Sequence, residues 1–141
     1  KLASELFETE NEALKIEMDA SNMSFMNDSF DVVTIFFTFL YMPLDVKQAV
    51  LKECFRVLKD KGILEIWDIS VPKFEEGKKD IFVAHLEIIL PGEHIDAQYG
   101  ALMRKEAQTE KQITHLCENV GLKLIHSSRG EDIFHLTFQV C

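Results

Sequence analysis

Phe30-Asp31-Val32-Val33-Thr34-Ile35-Phe36-Phe37 is a β-branched and aromatic run with little polar alternation, the pattern of a strand buried on both faces. Residues 45–59 follow with helical periodicity. Val46, Val50, Cys54 and Val57 mark one apolar face, Asp45 is placed to cap the start, and Gly62 closes the end. Gly62-Ile63-Leu64-Glu65-Ile66-Trp67-Asp68-Ile69 then reads as a second buried strand. Buried strand, helix and buried strand in succession imply a crossover between strands of one sheet, covered by its own helix.

The same reading extends in both directions. Residues 1–12 are rich in helix formers, with Leu2, Leu6 and Phe7 at helical spacing, and 13–18 alternate as a strand does. Residues 19–29 are small, polar and turn-like. Downstream, 71–79 read as a loop. Residues 80–90 fit strand or helix, and their β-branched content with Pro91-Gly92 as terminator favours strand. Residues 109–120 form the clearest helix: Thr109 and Gln112 fit a capping box, Ile113, Leu116, Cys117 and Val120 make the stripe, and Gly121 stops it. Residues 122–128 and 133–140 read as an antiparallel hairpin. The expected class is α/β, an open sheet with crossovers.

Acidic residues outnumber basic ones 24 to 15 in 141 residues, a formal charge of −9 that disfavours nucleic acid and anionic membrane as partners. Hydrophobic residues make up 47%, enough for one packed domain. Three cysteines, Cys54, Cys117 and Cys141, have no metal-ligand spacing and read as reduced thiols of a cytoplasmic protein. The longest apolar stretch is too short to span a bilayer, and no signal peptide opens the chain. The five histidines show no helical pairing or cluster, so no metal is expected. All six glycines lie at or beyond Gly62, and none are spaced as a phosphate-cradling loop.

Several segments acquire meaning together. Met18-Asp19-Ala20-Ser21-Asn22-Met23-Ser24-Phe25 is similar to a "gDa..lpf" turn, and Asp28-Ser29-Phe30-Asp31-Val32-Val33 to "d.sFDvV". Glu53 through Phe55-Arg56-Val57-Leu58-Lys59 to Gly62-Ile63-Leu64 is similar to "E..RVLkpGG.l", and Thr109 to Leu124, with Glu118-Asn119-Val120-Gly121-Leu122, to "T..ei..ll.eaGF". In this order and spacing the chain resembles the class I S-adenosylmethionine-dependent methyltransferases of the small-molecule kind (type 11/25-like). The resemblance implies a partial Rossmann-like sheet, mostly parallel with an antiparallel C-terminal hairpin. Residues 1–141 would be a single domain, the C-terminal two thirds of that fold.

Two departures stand out. The family's opening strand with its glycine-rich turn, and the acidic strand end after it, have no counterpart here. Asp60 and Lys61 replace the proline and first glycine of the "pGG". In the family's strand order, 3-2-1-4-5-7-6, the lack of strand one would turn residues 30–37 into a sheet edge, so either a preceding segment or a second copy is expected to cover it.

The resemblance assigns cofactor contacts to Asp19, for the adenine amino group, to Ala20 through its backbone N–H, and to Ile35 and Phe36 in the cleft at the strand end. For Asp19 the alternative is an Asx turn or helix cap; for Ile35 and Phe36 it is plain core packing. Tyr41, Met42 and Asp68 lie where the family binds its methyl acceptor. Tyr41, Asp68, His85 and His94 are the candidate bases if that acceptor must lose a proton. Residues 93–100 either overhang the active-site mouth or merely connect. Asp31, Glu53 and Arg56 read as structural. The implied function is methyl transfer from S-adenosylmethionine to a small molecule; the alternative is a non-catalytic methyltransferase-like dimerisation or interaction module.

Overall fold

The computed structural model describes residues 14–77 and 79–141. In chain order they form β1 (Phe30–Phe36), a 3-10 turn (Phe39–Tyr41), α1 (Leu44–Val57), β2 (Leu58–Ile69), β3 (Ile81–Leu90), β4 (Glu93–Leu102), α2 (Glu110–Asn119), β5 (Leu122–Arg129) and β6 (Ile133–Val140). Four strands make one sheet in the order β1-β2-β6-β5, and β3 and β4 pair separately. β1 and β2 are parallel and joined by α1, while β6 runs antiparallel to both β2 and β5. Three of the four strands therefore run the same way, with the reversed strand inside, as the 4-5-7-6 half of the expected order requires.

Alternation decides which face is covered. Ile35, Leu64, Ile66, Phe134, Leu136 and Phe138 point to one side, where Val50, Leu51 and Cys54 of α1 and Ile113, Leu116 and Cys117 of α2 close over them. Burial pushes the Cys54 thiol up to about 12 and that of Cys117 in the same direction, so both act as apolar packing groups. On the other side, the register lines up Phe36, Trp67 and His135 across three strands. Their rings stack at 4.6 Å and 3.9 Å.

β1 corrects the sequence reading in one respect: it is not buried on both faces. Val32 is 52% and Phe36 54% exposed, because no described element covers that side of the sheet and β1 is an edge strand among the described residues. Residues 14–18 form no strand. Alternation chooses a face, but a strand exists only where a neighbour takes its backbone hydrogen bonds, and Leu14 stands 84% exposed. The helix expected over 1–12 lies outside the described residues.

Helix boundaries shift for local reasons. Pro43, not Asp45, is the N-cap of α1, with Asp45 inside the first turn. At the other end Gly62 is not the stop: Leu58 already begins β2. The register between β1 and β2 slips over the next few residues, and Lys61 takes φ 59°, the left-handed conformation, where the resemblance expects glycine. A Cβ on Gly62 would lie 2.8 Å from the Lys59 carbonyl oxygen, which explains a glycine there. α2 starts as expected, with Thr109 Oγ1 accepting from the Gln112 N–H at 3.2 Å, and ends at Gly121, φ 99°.

Residues 93–100 are not a loop. They belong to β4, paired with β3 from Ile81↔Leu102 to Leu90↔Glu93. One face of this hairpin, through Ala84, Leu86 and Ala101, packs with Leu40, Ile69 and Val71 at the end of β2. No helix among the described residues is long and apolar enough to cross a membrane.

Candidate functional site

The loop before β1 is pinned by two residues that the sequence reading treated as structural. Arg56 and Glu53, one turn apart on α1, form a two-pronged pair, Nε to Oε1 and Nη2 to Oε2, both at 2.7 Å. Glu53 Oε2 also accepts the Met23 N–H at 2.7 Å, and Arg56 donates to the carbonyls of Phe25 at 2.8 Å and Met23 at 3.0 Å. The guanidinium holds the Glu53 carboxyl down at about 2. This anchor fixes where residues 19–25 sit above α1.

At the start of that loop, Asp19 Oδ1 accepts from the N–H and Oγ of Ser21, at 2.8 and 2.7 Å. The Ser21 bonds hold its carboxyl below the usual range. This is the Asx turn that stood as the alternative reading. It occupies one oxygen only, and Oδ2 has no partner among the described residues. Asp19 is exposed and Ala20 is half-buried against the core.

The carboxyl end of β1 turns sharply. Phe37 takes φ 44°, a left-handed conformation that costs a bulky residue about 1–3 kcal/mol. Its N–H still bonds the Trp67 carbonyl at 2.8 Å, and its ring rests on Tyr99, 5.3 Å between centroids. The bend opens a cleft of about 200 Å³ between the loop and the strand end, lined by Ala20, Met23, Ile35, Phe36, Phe39 and Met42. Three of the four cofactor candidates, Ala20, Ile35 and Phe36, thus share one cleft, and Asp19 adjoins it along the chain.

The acceptor candidates divide. Met42 lines this cleft and also a larger cavity of about 540 Å³, whose apolar wall includes Leu44, Phe74, Leu102 and Met103. Tyr41 lines neither; it is half exposed, and its carbonyl accepts from Arg104 Nη2 at 3.1 Å. Asp68 is fully buried, so it meets no solvent-borne molecule. It accepts the Phe39 N–H at 2.8 Å, its neighbour Ile69 N–H at 2.8 Å and Gln108 Nε2 at 2.9 Å. Burial raises its pKa, against the pull of those bonds. It ties the 3-10 turn to β2 and to the segment before α2.

Lys47 is the residue the sequence reading missed. It is only 6% exposed, lines the larger cavity, and donates to Gln108 Oε1 at 2.5 Å. Burial lowers its pKa to about 8, partly opposed by the Asp68 charge. The signal was its place in the buried stripe Lys47, Val50, Leu51, Cys54, Val57, one helical step below Val50. His85 and His94 lie on the β3–β4 hairpin, where His94 pairs with Glu87 at 2.7 Å, and neither lines either of these two cavities. Among the described residues no group of three or more His, Cys, Asp or Glu is arranged for a metal.

Comparison with known proteins finds methyltransferases by sequence and by fold. Residues 1–66 match the family described as "Methyltransferase domain". Over 73 residues the chain is 36% identical to a demethylmenaquinone methyltransferase of Thermotoga maritima, covering 52% of this chain and 31% of that one. A putative S-adenosylmethionine-dependent methyltransferase from Listeria monocytogenes superposes over 99% of this chain and 75% of its own, with TM-score 0.62 and 12% identity. This chain has part of the class I methyltransferase fold. A Burkholderia thailandensis 1,6-didemethyltoxoflavin-N1-methyltransferase, solved with bound 1,6-didemethyltoxoflavin and S-adenosylhomocysteine, shares that fold at TM-score 0.52 and 13% identity, over 86% of this chain and 48% of that one. The chain spans about a third of the curated methyltransferase it matches.

Proposed function

We propose that this chain is the C-terminal two thirds of a class I methyltransferase domain whose intact form transfers a methyl group from S-adenosylmethionine to a small molecule. The observation that carries the reading is the cleft at the carboxyl end of β1, where Ala20, Ile35 and Phe36 meet beside a carboxylate with one oxygen unused among the described residues. Ligands of open α/β sheets sit at such strand ends.

The donor set suits the cofactor's adenosine end. Asp19 Oδ2 would accept from the adenine amino group, Ala20 would offer its backbone N–H, and Ile35 and Phe36 would give the ring apolar walls. When bound, S-adenosylmethionine supplies an electrophilic methyl on a sulfonium. The protein's share of such a transfer is to position the acceptor and exclude water. Met42, common to both cavities, is the residue that would separate acceptor from cofactor. The Thermotoga relative, by its name, also methylates a small molecule.

Calorimetric titration of S-adenosylmethionine and S-adenosylhomocysteine tests this. Asp19→Asn keeps the Ser21 turn but replaces the accepting Oδ2 with a donor. Micromolar binding that weakens by about tenfold or more in the variant is expected, the loss of one charge-assisted hydrogen bond. Equal affinity in both proteins, or no binding by the folded chain, contradicts the assignment.

A further inference from the structure

Six polar or charged residues line the larger cavity beside its apolar wall, and two of them, Lys47 and Gln112, are not exposed. One is the Lys47 ammonium, nearly fully buried, with Gln108 Oε1 as its hydrogen-bond partner. An ammonium carries three donors, and no carboxylate of a described residue stands within ion-pair distance of this one. The second is the side chain of Gln112, whose Oε1 is buried and has no hydrogen-bond partner among the described residues. The capping box expected from sequence would have used this side chain, but Thr109 makes only its own half of that box. Both residues line the same 540 Å³ space, within the range of about 300–1,000 Å³ that holds small organic ligands.

Buried charge and buried unpaired acceptors are both costly, so their joint presence in one apolar cavity describes the molecule that relieves them. We propose that this cavity binds a small, largely apolar molecule bearing an acidic oxygen, carboxylate or phenolate, opposite Lys47 and a hydrogen-bond donor opposite Gln112. Met42, Leu44 and Phe74 enclose its apolar body. Asp80, Arg104, Lys105 and Glu106 are exposed charges of mixed sign on the rim, which leaves Lys47 as the charge inside. The proposal rests on the methyltransferase reading only in taking this molecule for the methyl acceptor; binding itself does not depend on it.

Titrating the chain, without cofactor, with 6-hydroxy-2-naphthoate, 2-naphthoate, 2-naphthol and 2-naphthamide separates the contributions. The hydroxy-acid should bind tightest, and the amide about tenfold or more weaker than the acid, the scale of one hydrogen bond to a charged group. Naphthoate above naphthol assigns a carboxylate, and the reverse order a phenolate. Lys47→Met should erase the preference for acid over amide, while Lys47→Arg keeps it. Gln112→Leu should erase the gain from the hydroxyl and leave the acid preference. It should also melt no lower than the parent, because an unpartnered amide gives way to an apolar group of similar size.

Acid affinity should fall about tenfold from pH 7 to 9 as Lys47 loses its proton, with Lys47→Met showing no such fall. The other charges facing Lys47 are Asp68, Arg104 and Glu106. Acid and amide binding alike, no saturation by any of the four probes, or indifference to both Lys47→Met and Gln112→Leu overturns the proposal. A chain that binds S-adenosylmethionine but no naphthoate refutes this inference alone. One that binds naphthoate but no cofactor refutes the methyltransferase reading alone.

Discussion

Glu53→Gln removes one charge from the anchor that holds the Asp19 loop while keeping its shape. The carboxyl sits at about 2 in the folded chain against an ordinary 4.5. At about 1.4 kcal/mol for each unit, that gap sets a ceiling of about 3 kcal/mol on the charge's contribution. The Glu53 side chain is 16% and that of Arg56 29% exposed, so solvent screens part of it and roughly 2 kcal/mol is the expected cost at neutral pH. A folded pKa below the unfolded value means that the contribution is complete above about 4.5 and disappears as pH falls toward about 2. Urea unfolding of both proteins at neutral pH and at several acid points measures it. The parent should lose stability across that window faster than the variant, so the two curves converge at the acid end. A constant difference between them, or one under about 0.5 kcal/mol at neutral pH, would show that the pair is an unremarkable surface contact. The variant should also bind S-adenosylhomocysteine more weakly, since the loop it frees carries Asp19 and Ala20.

Lys61 occupies a left-handed position, so Lys61→Gly should stabilise by about 1 kcal/mol, raising the midpoint by roughly 3 °C, while Lys61→Ala should give no such gain. Thermal melts of the three proteins decide it. β1, an edge strand among the described residues with Val32 and Phe36 exposed, predicts concentration-dependent self-association by sedimentation that Val32→Lys suppresses. A monomer at all concentrations in the parent contradicts that pairing.

What could be read from sequence was the part whose signal is local. The run 30–37 declares itself by β-branched and aromatic content, the stripe of α1 by periodicity and the hairpin of β5 and β6 by its turn, and the resemblance supplied their order in the sheet. β4 went unread although Ile95, Ala97, Tyr99 and Ala101 alternate with polar neighbours, because Asp96, Gln98 and Gly100 look like loop residues until β3 takes their backbone bonds. Asp68 shares the buried phase of Leu64 and Ile66 along β2, so its alternation already spoke for an interior role rather than a site facing substrate. Lys47 was passed over because lysine in an apolar stripe is ordinarily a snorkelling side chain, and only tertiary structure encloses it. The pairing of cavities through Met42 is non-local and has no sequence signature.

The central claim is that the cleft at the end of β1 holds the cofactor. Amide spectra of the isotope-labelled chain, recorded as S-adenosylhomocysteine is added, test it residue by residue. The largest shifts are expected at Asp19, Ala20, Ile35 and Phe36, with the β3–β4 hairpin unmoved. Saturable shifts confined to other surfaces, or no shifts in a folded sample, would contradict it.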